Sequence, residues 1–265
     1  MADIHPSRLY ARNITVGYAQ AEVLKDVDVT IPNGQITAVV GANGCGKSTL
    51  LRALARLIQP TEGTIHLGGK PIASMTSKSV AQQLAFLPQN PVSPDGLTVR
   101  QLCRFGRHPH KGFLSPLTKD DDKLVEQALA ATGLIDFAER QLDQLSGGQR
   151  QRAWIAMALV QETPLLLLDE PTTYLDIAHQ LEVLELLKKL NQERGRTIVM
   201  VVHDLNHAAL YAHHLIAISE GRVYASGSPA QLLTPKLVKD VFGIEALVVP
   251  HPLYETPYCF PIAAR

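Results

Sequence analysis

The apolar run Ile36-Thr37-Ala38-Val39-Val40 leads straight into GANGCGKST, Gly41 to Thr49. STLLRALARLI then sets Leu50, Leu51, Leu54, Leu57 and Ile58 on one helical face before Pro60. A buried strand, a glycine loop and a helix in unbroken succession constrain the fold more than any other feature of the chain. They predict an α/β protein with the loop at the carboxyl end of a strand. Gly41, Gly46, Lys47 and Ser48 fit the P-loop pattern GxxxxGK[ST]. In this setting the loop N–H groups converge on the β- and γ-phosphates of a nucleotide, Lys47 supplies a point charge, and the Ser48 hydroxyl is a ligand for Mg²⁺. A chance glycine turn would not come flanked by both elements.

TVGYAQAEVLKDVDVTIPNG alternates as short strands do and ends at the turn Pro32-Asn33-Gly34. TIHLGG reads as a strand, SKSVAQQLA as a helix and AFLPQ as a strand end. From Asn90 the proline-rich loop NPVSPDG opens a mostly helical region that reaches about Glu162. Two helices there begin with capping boxes, Thr98 with Gln101 and Thr118 with Asp121. The acids Asp120, Asp121 and Asp122 read as a solvated helix start that suits the positive end of the dipole. Strand pattern returns in PLLLLDEP. A helix follows from about Ile177, with Leu181, Leu184, Leu187 and Leu190 inward, and ends near Gly195. TIVMVVHD is another apolar strand, and LIAISEGRVYASG predicts a hairpin turning at Glu220-Gly221. Continuous apolar strands alternating with helices imply a parallel sheet covered on both faces, with the helical block lying inside the α/β core.

Composition narrows the function. The 265 residues carry 25 Lys plus Arg against 25 Asp plus Glu, a balance that disfavours non-specific binding to nucleic acid or to an anionic membrane. MADIHPSRLY lacks the apolar region of a secretion signal, and no apolar run nears the roughly 18 residues of a membrane span. Cys45, Cys103 and Cys259 are far apart and read as free thiols. Cys45 lies near a helix N-terminus, where a thiol is expected to have a lowered pKa, to react readily with a maleimide and to be shielded by nucleotide. No HxxxH or HExxH pair suggests metal binding by histidine.

The triphosphate's metal calls for a carboxylate at the end of a buried strand, and LLLLDE supplies it. Asp169 is placed to hold Mg²⁺. Glu170 points the other way if strand geometry persists, as suits a general base for water attacking the γ-phosphate. His203, at the end of TIVMVVH, is a candidate γ-phosphate sensor. A second glycine pair, in LSGGQRQR, lacks a lysine. From the bare residues Ser146 and Gln149 form a capping box at the start of the helix QRQRAWIAMALV.

In this order the motifs resemble those of the nucleotide-binding subunits of ABC transporters, over essentially the whole chain. They are Tyr18 in VGY (A-loop), Gly41, Ala42, Asn43, Gly44, Cys45, Gly46, Lys47, Ser48 and Thr49 (Walker A), and Gln89 in FLPQ (Q-loop). They continue with LSGGQ (signature), LLLLDEP (Walker B), Asp176 in YLD (D-loop) and His203 (H-loop). The resemblance implies an α/β fold with a P-loop NTPase (RecA-like) core, an N-terminal antiparallel β subdomain and an inserted α-helical subdomain. The core spans about 1–89 and 163–265 and the helical part about 90–162, within a single domain of residues 1–265. It further implies ATP with Mg²⁺ held by Ser48, Gln89 and Asp169, catalysis by Glu170, His203 and Lys47, and stacking of adenine on Tyr18. Ser146, Gly147, Gly148 and Gln149 then meet the ATP held by the P-loop of another subunit, so each ATP lies between two chains. Gln89, at the junction of core and helical block, can report the subdomain's orientation.

One P-loop and one signature imply pairing with a second copy or a paralogue, a homodimer being the expectation. With no spanning segment, a separate integral-membrane permease is implied, and hence a bacterial importer. GRHPH after LTVRQLCRF, SGSPAQLLTPKLVKDVFGI, PTTYLD and TPYCFPI look like the iron-siderophore, haem and cobalamin group, ferric-siderophore type. GRHPHKG itself is open between a solvated basic loop and a permease-facing one. The resemblance places the chain peripherally on the cytoplasmic face of the bacterial inner membrane, with a periplasmic or lipoprotein substrate-binding protein as an indirect partner and no nucleic acid. Two other classes compete: a soluble ABC ATPase that remodels a macromolecule, and an ATP-binding regulatory module without turnover. Glu170 and His203 argue against the second.

Overall fold

The computed structural model describes residues 8–18, 21–92, 94–111 and 116–264. MADIHPS, Ala19 and Gln20 of the first strand segment, Ser93 of the proline-rich loop and Gly112 after GRHPHK lie outside the described residues.

The elements run β1 (Leu9–Tyr18), β2 (Ala21–Ile31), β3 (Ile36–Gly41), α1 (Lys47–Leu54), β4 (Glu62–Leu67), β5 (Lys70–Pro71), α2 (Ser77–Ala81) and β6 (Leu84–Leu87). Next come α3 (Val99–Phe105), α4 (Lys119–Ala131), α5 (Gly147–Val160), β7 (Leu165–Leu168) and α6 (Ile177–Arg194). The chain finishes with β8 (Thr197–Val201), α7 (Leu205–Tyr211), β9 (His214–Ser219), β10 (Arg222–Gly227), α8 (Pro229–Leu232), α9 (Pro235–Phe242), β11 (Ile244–Pro250) and β12 (Pro257–Ala264). They form two compact units, residues 1–75 with 195–265, and residues 76–194.

In the first unit β2, β1, β4 and β5 make an antiparallel sheet in that order. Strand β3 pairs in parallel with β8 on one side and β9 on the other, and β10 closes the edge antiparallel to β9. All six residues of β3 are buried, which is why its sequence shows no polar alternation. The β9–β10 turn has Glu220 at φ 49° and Gly221 at φ 75°, the left-handed pair that a two-residue hairpin needs to match strand twist. Helix α1 stops a turn before the position predicted from the sequence. Arg56 takes φ 60°, Arg56 N donates to Ala53 O (2.9 Å) and Leu57 N to Arg52 O (2.8 Å), so the last carbonyls are satisfied by a Schellman-type turn and Leu57 is left exposed. The β11–β12 hairpin packs Ala246 and Cys259 on Ala209, Leu233 and Val238.

The second unit contains the parallel pair β6–β7 and the mutually packed helices α3, α4 and α5. Both capping boxes predicted for α3 and α4 close, and so does that of Ser146 with Gln149 at α5. Along α6, Leu184, Leu187 and Leu190 are buried as expected, but Leu181 is exposed and Val183 and Leu186 take the inner face instead.

The acid run at α4 begins the helix as expected and Asp120 is exposed, but Asp121 is not solvated. Asp121 is 3% exposed; its Oδ1 accepts from Arg107 Nε at 2.8 Å, and its Oδ2 pairs with the Lys111 ammonium and accepts from Thr118 N at 2.8 Å. Arg107 Nη1 also donates to Val160 O at 3.0 Å, the carboxyl end of α5, and to Glu162 Oε2 at 3.1 Å. His110 Nε2 donates to Gln161 O at 2.8 Å. As far as Lys111, GRHPHK is therefore an anchored segment that carries buried charge. A side chain at Gly106 would lie 2.3 Å from Met157 O, so the glycine permits the close approach of α3 to α5.

Burial alone would lift the Asp121 carboxyl, but Lys111, Thr118 and Arg107 more than reverse this and hold it below the ordinary 3.8. A depressed carboxyl contributes stability that is present above its ordinary pKa and is lost as pH falls through the folded value. Asp121→Ala is expected to cost about 3 kcal/mol at pH 7, because two cations lose their buried counter-charge. Urea unfolding of both proteins at pH 7 and below pH 4 should show the difference shrinking in acid.

Candidate nucleotide site

Tyr18, the glycine loop and His203 belong to the first unit; Gln89, Ser146 to Gln149, Asp169, Glu170 and Asp176 belong to the second. The loop leaves β3 at Gly41, whose φ is 153° and where a Cβ would lie 2.3 Å from Ile218 O of β9. Gly46 is the N-cap of α1 at φ 109°, with Leu24 Cδ2 2.6 Å from where a Cβ would stand. Both positions therefore need glycine, one for its neighbour and one for its left-handed backbone as well. Lys47, 5% exposed, donates to Gly41 O at 3.0 Å and Ala42 O at 2.9 Å. Its ammonium is thus folded into the loop and stabilised by two carbonyls that an anion's oxygens can replace. Ala42, Asn43 and Gly44 line the open side of the loop, while Thr49 points inward. Tyr18 is half exposed at the end of β1, and His203 is exposed two residues beyond β8.

The lowered pKa expected for Cys45 is not what the structure gives. Its thiol is buried, with Sγ 2.7 Å from the position of a Gly41 Cβ, and burial pushes its pKa up against the smaller opposing effect of Lys47. Proximity to a helix N-terminus does not activate a sulfur that solvent barely reaches.

In the second unit β7 delivers Asp169 to a site where it is 1% exposed, its N–H donating to Leu87 O at 2.9 Å. Strand geometry does not persist to Glu170. The strand ends at Leu168, and Glu170 sits at φ 54°, a left-handed turn that costs about 1–3 kcal/mol for a residue with a Cβ. Its direction is therefore set by the turn and by two donors: Gln89 Nε2 at 2.5 Å and Thr173 Oγ1 at 2.9 Å both meet Glu170 Oε2. Gln89 and Glu170, separate motifs in the sequence, are in direct contact, and Thr173 is a partner that motif reading missed. Gln89 and Asp169 in the second unit carry amide and carboxylate oxygen, and Ser48 in the first a hydroxyl; each is by its chemistry the kind of hard donor that Mg²⁺ takes. Among the described residues no group of three or more His, Cys, Asp or Glu could hold a metal alone.

Ser146 and Gly147 are exposed at the start of α5, and Gly148 is buried. Ser146 Oγ accepts from Gln149 N at 3.2 Å, and Gln149 Oε1 accepts from Ser146 N at 3.1 Å. A hydroxyl both accepts and donates, so Ser146 can cap the helix and still present its O–H outward. Asp176 Oδ1 accepts from His179 N at 2.9 Å and from His179 Nδ1 at 2.7 Å. His179 is a second residue that motif reading missed; the D-x-x-H spacing across a helix start was its signal.

The family model described as ABC transporter matches residues 24–173. The petrobactin import ATP-binding protein FpuD of Bacillus anthracis is 51% identical over 253 residues, 96% of this chain and 93% of that protein. The ferric enterobactin transport ATP-binding protein FepC of Escherichia coli K12 is 46% identical over 256 residues, 97% of this chain and 94% of that protein. A solved dimeric cassette of a bacterial ABC transporter superposes with a TM-score of 0.74 at 29% identity, covering 83% of this chain and 98% of its own. Likeness of this extent, in a chain whose glycine loop and signature helix take the forms their motifs require, makes this protein a member of the ABC transporter family and an ATP-binding subunit within it.

Proposed function

We propose that this chain energises uptake of a ferric siderophore as the ATPase subunit of a bacterial importer, working as a head-to-tail homodimer that closes on ATP and opens after hydrolysis. The observation that carries the ATPase reading is the glycine loop, with its buried Lys47 held by Gly41 O and Ala42 O. Relatives at about half identity are named for import of petrobactin and of ferric enterobactin, which supports the class of cargo. The dimeric cassette supports pairing. In this reading residues 1–265 act as one cassette.

Adenine stacks on Tyr18, and the N–H groups of Gly41 to Thr49 gather the phosphates. Lys47 exchanges its loop carbonyls for phosphate oxygens. Ser48, Gln89 and Asp169 would hold Mg²⁺, which when bound would supply neutralisation of the phosphate charge. Glu170 takes the proton of the attacking water, oriented by the hydrogen bonds from Gln89 and Thr173. His203 holds the γ-phosphate from the other side. The start of α5 needs no lysine, because the opposite P-loop provides one: Ser146 and the Gly147 and Gly148 amides bind the γ-phosphate through hydrogen bonds and the helix dipole. Both subunits grip one phosphate, so its cleavage releases the closed state, which is the mechanical output.

The permease is a separate chain in this reading, and no helix among the described residues is long and apolar enough to cross a membrane. The subunit sits peripherally on the cytoplasmic face, and a periplasmic or lipoprotein binding protein delivers cargo to the permease from the far side.

Glu170→Gln is expected to lower phosphate release by about 10²- to 10⁴-fold while nucleotide still binds; unchanged turnover removes Glu170 as the base. Ser146→Arg should bind a fluorescent ATP analogue normally, yet give no ATP-dependent dimer on light scattering and no hydrolysis. Loss of nucleotide binding in that variant would contradict the two-chain site.

A further inference from the structure

The two glycines at the start of α5 are backed by Leu175, in the segment that follows Glu170, and by His179 in the first turn of α6. A Cβ at Gly148 would lie 2.4 Å from His179 Cδ2 and 2.7 Å from its Cγ, and one at Gly147 would lie 3.6 Å from Leu175 Cδ2. His179 therefore fills the space a side chain at Gly148 would need. Its ring is fixed from the opposite edge: Nδ1 lies 2.7 Å from Asp176 Oδ1, which also accepts from the His179 backbone N–H at 2.9 Å. A carboxylate can only accept, so Nδ1 carries the proton and donates. Those two bonds, the backbone one first, hold the Asp176 carboxyl below its ordinary range.

The contacts continue back to Glu170. Gln180 Nε2 donates to Leu175 O at 2.9 Å, Leu175 N to Thr172 O at 3.4 Å, and Thr173 Oγ1 to Glu170 Oε2 at 2.9 Å. Between these bonds Tyr174 is held at φ 64° with 83% of its surface exposed. A bulky residue persists in that backbone region only where its surroundings over-determine it. The segment from Glu170 to Gln180 is thus braced at both ends, with His179 as its contact on α5.

We propose that His179 is a positioning residue for the signature: anchored by Asp176, it holds the Gly147–Gly148 end of α5 against the turn that carries Glu170, so that the surface offered to a second copy's ATP moves together with the base. The proposal rests on the reading that Ser146 to Gln149 meet nucleotide held by another copy. A helix start that attracts phosphate only through N–H groups has no long flexible cation to make up for misplacement, so its position has to be set by packing.

The test uses the full-length homodimer and ATP. His179→Ala should lower kcat about tenfold or more with the KM for ATP and the affinity of a fluorescent ATP analogue unchanged, and should weaken ATP-dependent dimer formation in the Glu170→Gln background. His179→Asn, which keeps a planar amide with an N–H near the place of Nδ1, should restore most of kcat. The double variant Asp176→Ala, His179→Ala should be no slower than Asp176→Ala alone, because the histidine acts through that anchor. Wild-type kcat in His179→Ala, no rescue by asparagine, or losses that multiply in the double variant would each overturn the proposal. A lowered Tm accompanied by loss of nucleotide affinity would do the same, since it would mark a purely structural role. Ser146→Arg, run in parallel, separates the two levels. If Ser146→Arg abolishes hydrolysis while His179→Ala does not slow it, only the positioning role fails; if Ser146→Arg still hydrolyses ATP, the underlying two-chain reading fails.

Discussion

The passage of β3 into α1 is the constraint around which the first unit is organised. A central strand bonded on both edges has no freedom to shift, and Gly41 at its end lies so close to Ile218 O that no side chain could stand there. The chain must then turn into a helix within five residues, Ala42 to Gly46, of which Ala42, Asn43 and Gly44 are left on the open side. The ammonium of Lys47 is buried in the same turn with carbonyls for partners. A loop built this way suits an anion's oxygens, so the sheet that holds this unit together also sets the geometry of the proposed phosphate site.

The second unit depends on α5 in a comparable way. Its 14 residues span about 21 Å, and both ends are occupied. The amino end is closed by Ser146 and Gln149 and backed by His179; the carboxyl end is gripped by Arg107, whose charge is balanced by Asp121 and Glu162. GRHPHK, exposed by composition alone, is tied further by Gln82 Nε2 to Pro109 O at 2.9 Å and by Lys78 Nζ to Lys111 O at 2.9 Å. A helix held at both termini transmits displacement rather than absorbing it, which suits the role proposed for its amino end.

Two of the non-glycine residues with left-handed backbone lie at the base proposed for hydrolysis and just beyond it. Glu170 and Tyr174, neither of them glycine, lie on either side of the Thr173 hydroxyl that bonds the Glu170 carboxylate. Conformations of that kind are retained against a cost of about 1–3 kcal/mol each when the direction of a side chain matters more than local comfort. Strand alternation would also have turned Glu170 away from Asp169, but it would not have brought Oε2 to both Gln89 and Thr173.

What the sequence determined by itself is whatever is encoded within a few residues. The glycine loop between its strand and helix, the capping boxes of Thr98, Thr118 and Ser146 and the Glu220-Gly221 turn were all legible, because each depends on local backbone geometry and short-range hydrogen bonds; the order of the nucleotide motifs was legible through resemblance to a known family. Tertiary structure alone decided what depends on neighbours distant in the chain. Asp121 reads as one acid of a solvated run until Arg107 and Lys111 bury it, and Cys45 reads as an activated thiol until Gly41 and its surroundings close over it. Helix α1 ends at Leu54 through a left-handed arginine, a position where sequence rules look for glycine, and β12 contains Pro257 and Pro261, which weaken any strand reading until β11 pairs with it. The D-x-x-H spacing records only the Asp176 side of His179; its approach to Gly148 is a contact between two segments, which no periodicity along one of them records.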